Sequence, residues 1–165
     1  MTTYSFDKET KQFQISEGIY LTEEKVIAMA EEVAANRLIG LDPITSPDMT
    51  KAYIKTYLQF KEREHFFVIF LSSQHKVIGH EDMFQGTINA ASIYPREVVK
   101  RALQLNAAAV ILAHNHPSGD PTPSQADRRI TQRLVDALAL VEVRVLDHII
   151  VGVEGTYAFS DHGII

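Results

Sequence analysis

The run AAAVILAHNHPSGDPTPSQAD, Ala107–Asp127, is the stretch around which this 165-residue chain is organised. It opens with seven apolar residues, Ala107–Ala113, a length suited to a buried strand and far too short to span a bilayer. Two histidines, His114 and His116, follow where that strand ends. A loop rich in proline and glycine leads from them to Ser124, and Ser124 and Asp127 have the S-x-x-D spacing of a helix start. In an extended chain, residues two apart project to the same side, with backbone positions roughly 6.5–7 Å apart. Two imidazoles on that spacing can converge on a metal at about 2.0–2.1 Å, the usual zinc–nitrogen distance. If the loop folds back, Asp127 can complete a His, His, Asp set with a fourth position left for water, as in catalytic zinc sites. The plainer alternative makes Ser124 a helix cap and Asp127 a favourable first-turn carboxylate. The two readings do not exclude each other.

Outward from this run, SQADRRITQRLVDALALV (124–141) reads as a helix with Ile130, Leu134, Leu138 and Val141 on one face. YPREVVKRALQLN (94–106) reads as another, with Pro95 near its start and Val98, Val99, Ala102 and Leu103 facing inward. HFFVIFLSS (65–73) and HKVIGHEDM (75–83) are expected to be strands joined by a polar turn, and VRVLDHIIVG (143–152) and TYAFS (156–160) to be closing strands. A helix is expected through MTKAYIKTYLQFKERE (49–64), capped by Ser46 with Pro47 at its first position and burying Ile54, Tyr57 and Leu58. Before it, IGLDPITSPD (39–48) reads as a linker or turn. LTEEKVIAMAEEVAANRL (21–38) has Val26, Ile27, Ala30, Val33 and Ala34 at helical spacing, with Thr22 as cap. The first twenty residues suggest a hairpin turning at DKETK. Helices alternating with strands in the second half predict an α/β domain, a mixed sheet flanked by helices, over 46–165, with 1–45 as an N-terminal extension of hairpin plus helix.

Composition narrows the function. The chain contains no cysteine, which excludes disulfides, cysteine zinc ligands and cysteine nucleophiles and is compatible with a cytoplasmic setting. A net charge of −5 argues against broad nucleic-acid binding through phosphate neutralisation. No secretory signal or membrane span is expected. Hydrophobic residues at 45% and charged residues at 22% are those of an ordinary globular protein.

The complete pattern, His114-x-His116-Pro117, six residues, Ser124, two residues, Asp127, resembles the JAB/JAMM metalloprotease signature. The fuller string HNHPSGDPTPSQAD is similar to the RadC-like branch, once labelled a DNA-repair group. The similarity extends from about Ser46 to Ile165 through REHFFVIFLSS, GHEDMFQGTINAASIYPREVVKRAL and LDHIIVG. It implies an MPN fold, related in layout to cytidine deaminases, with one zinc (Zn2+) held by His114, His116 and Asp127. It further implies that Ser124 hydrogen-bonds the zinc water or the developing oxyanion, and that a glutamate one strand upstream is the general base. Glu64, just before FFVIFL, is the candidate, and Glu81 in GHEDM is the competitor. RadC-like proteins often carry a helix-hairpin-helix module in front, for which the first 45 residues are too few.

Other residues read more plainly. His148 alternates with apolar neighbours and is expected to be a satisfied core or surface histidine, although it could face the site. Asp120 in SGDP has turn chemistry, and His65, His75, His80 and His162 lack ligand spacing. The literal tripeptide HNH is not the motif of HNH nucleases, whose letters are spread along a longer segment. The leading expectation is a zinc-dependent hydrolase acting on a peptide or isopeptide bond of an unspecified protein substrate. The alternatives are a metal-dependent nuclease and a non-catalytic, DNA-repair-associated binding module. A deaminase would need cysteines that are absent. No pattern specifies an oligomeric state.

Overall fold

The centre of the molecule is a pair of strands so apolar that both faces must be covered. The structure, a computed structural model, describes residues 4–7, 9–10, 12–15, 20–39, 47–86 and 93–165, with the backbone alone for 34–39. In chain order the elements are β1 (Tyr4–Asp7), β2 (Gln12–Ile15), α1 (Glu23–Ile39), α2 (Pro47–Leu58), β3 (His65–Leu71), β4 (Val77–Gln85), α3 (Pro95–Gln104), β5 (Ala109–Asn115), α4 (Gln125–Ala139), β6 (Arg144–Gly152) and β7 (Gly155–Ala158), followed by a 3-10 turn at Ser160–His162. The main sheet has the order β4-β3-β5-β6-β7. Only β5 and β6 are parallel, and α4 makes the crossover between them.

Side-chain alternation sorts the central strands into two cores. Phe67, Ile69 and Leu71 of β3 and Ala109, Ile111 and Ala113 of β5 pack beneath Tyr53, Ile54 and Leu58 of α2. Phe66, Val68 and Phe70, with Val110 and Leu112, meet Val98 and Ala102 of α3 and Leu134 and Leu138 of α4. His114 continues the series of Val110 and Leu112, so its side chain points to the α3/α4 face. The expected mixed sheet flanked by helices is therefore what the chain forms, and it is consistent with a JAB/MPN fold. Among the described residues, no helix is long and apolar enough to cross a membrane.

The N-terminal hairpin forms as expected, with Phe6 opposite Phe13 and Asp7 Oδ1 accepting from the amides of Glu9 and Thr10 in the turn. Ser46 and the linker over 40–46 lie outside the described residues. Two expectations need correction. The helix expected over 49–64 ends at Leu58. Beyond it, the carbonyls of Lys61 and Arg63 turn to accept from Asn115 Nδ2 at 3.2 and 2.9 Å, which helical geometry would not allow. Leu103, expected to face inward, is 55% exposed. The buried line of α3 runs through Val98 and Ala102, with Val99 and Leu105 on its margins, and Leu103 falls outside it.

Candidate metal centre

The site lies where β5 runs out of its sheet and α4 begins, beyond the carboxyl end of a parallel strand. His114 is the sixth residue of β5, pairing with Phe66 of β3 on one side and Ile150 of β6 on the other. His116 lies just past the strand and stays tied to the sheet, its amide donating to the Val151 carbonyl at 2.8 Å. The loop then turns at Gly119, whose φ of +100° favours glycine. Its path against β6 depends on Gly152. A Cβ there would stand 2.0 Å from the Gly119 carbonyl oxygen.

The loop returns the chain to the histidines as α4. Ser124 Oγ accepts from the Asp127 amide at 3.1 Å, and Asp127 Oδ2 accepts from the Ser124 amide at 2.7 Å, a reciprocal capping box. The cap aims the Asp127 carboxylate at the histidines: Oδ1 lies 3.4 Å from His114 Nε2, and Oδ2 lies 3.5 Å from His116 Nε2. The two Nε2 atoms are 2.9 Å apart. Among the described residues, His114, His116 and Asp127 are the one group of three His, Asp or Glu side chains whose ligand atoms gather, all within 4.8 Å of one another.

This donor set fits a divalent metal. The His116 Nδ1 donates to the Asp120 carbonyl at 2.8 Å, since a carbonyl can only accept, so in the neutral ring Nε2 is the bare nitrogen. That lone pair, a second imidazole nitrogen and a carboxylate crowd one point that only positive charge can satisfy. The hydrogen bond to Asp127 raises the His116 pKa above its ordinary value. Burial alone would raise the Asp127 carboxyl, but the adjoining His114 and His116 imidazoles outweigh it and hold the group far below the carboxylate range. Two imidazoles and one carboxylate suit zinc and similar first-row ions, and three protein ligands leave a coordination position open.

The two candidate bases have different surroundings. Glu64 is half-buried immediately before β3, and its charge acts on His116, helping to raise its pKa. Extending the alternation of β3 from Phe66 puts Glu64 on the face that His114 shares. Glu81 lies in β4 opposite Val68, where the Arg101 guanidinium of α3 holds it in an ion pair. Asp120 keeps its turn role, Oδ1 accepting from the Thr122 amide at 2.8 Å, while its carbonyl also orients His116. His65 pairs with Asp82, His75 with Arg144, His80 with Tyr53 and His162 with the Ala158 carbonyl, all apart from the metal group.

His148 is a satisfied core histidine that nevertheless reaches the site. It is fully buried on β6, with Nε2 2.8 Å from His114 Nδ1 and Nδ1 2.6 Å from Thr131 Oγ1. Burial holds its pKa well below the ordinary histidine value. Thr131 was not singled out by the sequence, although it carries a signal: a hydroxyl in the inward stripe with Leu134 and Leu138, four residues after Asp127.

The molecule is thus a mixed α/β domain with a His–His–Asp group able to hold a metal ion at a strand-to-helix junction. The family described as the RadC-like JAB domain matches residues 44–164, and the chain belongs to it. A UPF0758 protein of Vibrio parahaemolyticus is 51% identical over 149 residues, covering 90% of this chain and 66% of its own length. A UPF0758 protein of Vibrio campbellii is 49% identical over 162 residues, covering 96% and 72%. One from Vibrio cholerae is 55% identical over 141 residues, covering 86% of this chain and 89% of the relative. The chain thus spans about two thirds of the length of the Vibrio parahaemolyticus relative.

Proposed function

We propose that this domain is a zinc-dependent hydrolase of peptide or isopeptide bonds. The reading is carried by one observation, the convergence of His114, His116 and Asp127 on a point that needs a cation. A zinc ion held there would act as a Lewis acid, lowering the pKa of water towards 7 and polarising a carbonyl. Glu64 takes the proton from the attacking water and delivers it to the leaving amine. Ser124 accepts the Asp127 amide through an oxygen lone pair, so its hydroxyl proton remains available to donate to the oxyanion of the tetrahedral intermediate. The capping box serves both the helix and the chemistry. The acidic net charge favours a protein substrate over nucleic acid. A two-metal nuclease centre would need further carboxylates beside the triad, and among the described residues no second such group occurs.

The test pairs metal analysis of purified protein with cleavage of a panel of fluorogenic peptides and isopeptide-linked conjugates. Wild type is expected to take up one zinc and cleave at least one member. Glu64→Gln should keep the zinc and lose about 10²–10⁴-fold in turnover, whereas Glu81→Gln should retain activity. A protein that takes up no zinc refutes the reading.

A further inference from the structure

We infer that Thr131 and His148 are positioning residues that fix the tautomer of His114, so that its Nε2 lone pair is presented to the metal point. This rests on the metal-site reading above and adds residues that lie outside the ligand triad. The direction of every hydrogen bond follows from one end. The Asp127 main-chain carbonyl can only accept, and Thr131 Oγ1 donates to it at 2.6 Å. A hydroxyl has one proton, so towards His148 Nδ1, 2.6 Å away, Thr131 Oγ1 must accept, and Nδ1 carries a hydrogen. The other nitrogen of the neutral His148 ring is then the acceptor, and His114 Nδ1 donates to it at 2.8 Å. Neutral His114 is left with its lone pair on Nε2, facing Asp127 Oδ1 and His116 Nε2.

All three side chains of the relay are sealed from water: His148 is 0% exposed, and Thr131 and His114 are each 2% exposed. No solvent can supply a substitute donor or acceptor. The rings of Phe66 and Phe159, centred 5.6 and 5.0 Å from that of His148, limit its rotation. His116 reaches the same protonation pattern independently, through the Asp120 carbonyl. Asp127 therefore acts at both ends of the relay: its carbonyl anchors the chain of hydrogen bonds, and its carboxylate faces the lone pair they orient. Outer hydrogen bonds of this kind fix the orientation and basicity of metal-ligating histidines, and their loss typically weakens metal binding about 10–100-fold.

The experiment uses the full chain, first without metal. Long-range proton–nitrogen NMR of the imidazoles, at mildly alkaline pH where histidine is neutral, should find both His114 and His148 as Nδ1–H tautomers. Thr131→Val keeps the shape but removes the acceptor for His148, so His114 should gain the Nε2–H form. In chelator competition its zinc affinity should fall about 10–100-fold. Thr131→Ser should restore both the tautomer and the affinity. Finding His114 as the Nε2–H tautomer in metal-free wild type overturns the inference without any variant. A folded Thr131→Val protein with unchanged tautomer and zinc affinity also overturns it. Wild type that shows the stated tautomers but binds no zinc would instead overturn the hydrolase reading, leaving the relay itself upheld.

Discussion

His114 Nε2 and His116 Nε2 stand 2.9 Å apart, closed in by the two oxygens of Asp127 at 3.4 and 3.5 Å. Such a cluster lacks positive charge, and a ligand that supplies it only in the folded state stabilises the fold by mass action. Zinc at 100 times its dissociation constant should add about 2.7 kcal/mol. In thermal melts this appears as a rise in midpoint with zinc that chelator reverses. The rise should be absent in His116→Ala and Asp127→Ala, and its persistence in both would mean that zinc binds elsewhere.

Ser124 can be divided into cap and donor by two substitutions. Ser124→Ala removes the cap acceptor and should cost about 0.5–2 kcal/mol, while Ser124→Gly should cost only a few tenths. Both lose the hydroxyl, so both should lower hydrolytic turnover about 10²–10³-fold if Ser124 donates to the oxyanion. Urea titration and turnover on the same preparations separate the effects. Full activity in the glycine variant would leave Ser124 with its capping role alone.

Gly152 tests whether the loop against β6 holds the metal point in place. In Gly152→Ala the new methyl would meet the Gly119 carbonyl oxygen at 2.0 Å and the Pro121 nitrogen at 2.9 Å, backbone atoms that cannot rotate away. Overpacking of this kind costs about 1–3 kcal/mol. The displaced loop also carries the Asp120 carbonyl that orients His116, so zinc affinity should fall together with stability. A variant that lost stability yet bound zinc as wild type does would show that the loop's seat on Gly152 does not hold His116.

His80 supplies a pH dependence away from the His114, His116 and Asp127 group. Its ring packs against Tyr53 and Phe67, and burial lowers its pKa below 6.5, opposed in part by the charge of Glu81. As pH falls through that ordinary value, the unfolded chain takes the proton before the folded one does. The stability associated with neutral His80 is therefore full above about pH 6.5 and declines below it. Urea denaturation of chelated wild type and His80→Phe should show a gap that shifts towards the variant between about pH 7.5 and pH 5.5. A gap independent of pH would count against this account of His80.

The pattern from His114 to Asp127 was readable because each of its parts is local. Strand alternation puts His114 and His116 on one side, and the S-x-x-D spacing becomes the capping box seen at Ser124 and Asp127. The strands on either side were equally legible from their apolar runs. Legibility failed where a distant group intervened. The helix expected to reach Glu64 stops at Leu58, and its following carbonyls bond to Asn115, more than fifty residues away. The inward edge of α3 was drawn one residue too wide at Leu103.

The sequence by itself determined the candidate ligand types, their order and the helix cap, because these depend on residue identity and backbone geometry over a short stretch. Only the tertiary structure decided that Asp127 folds back to both imidazoles, that Arg101 occupies Glu81, and that His148 on β6 meets His114 on β5. Each of those depends on register between strands and on helices packed across the sheet. Such contacts join residues that are far apart in the chain, and no local spacing records them.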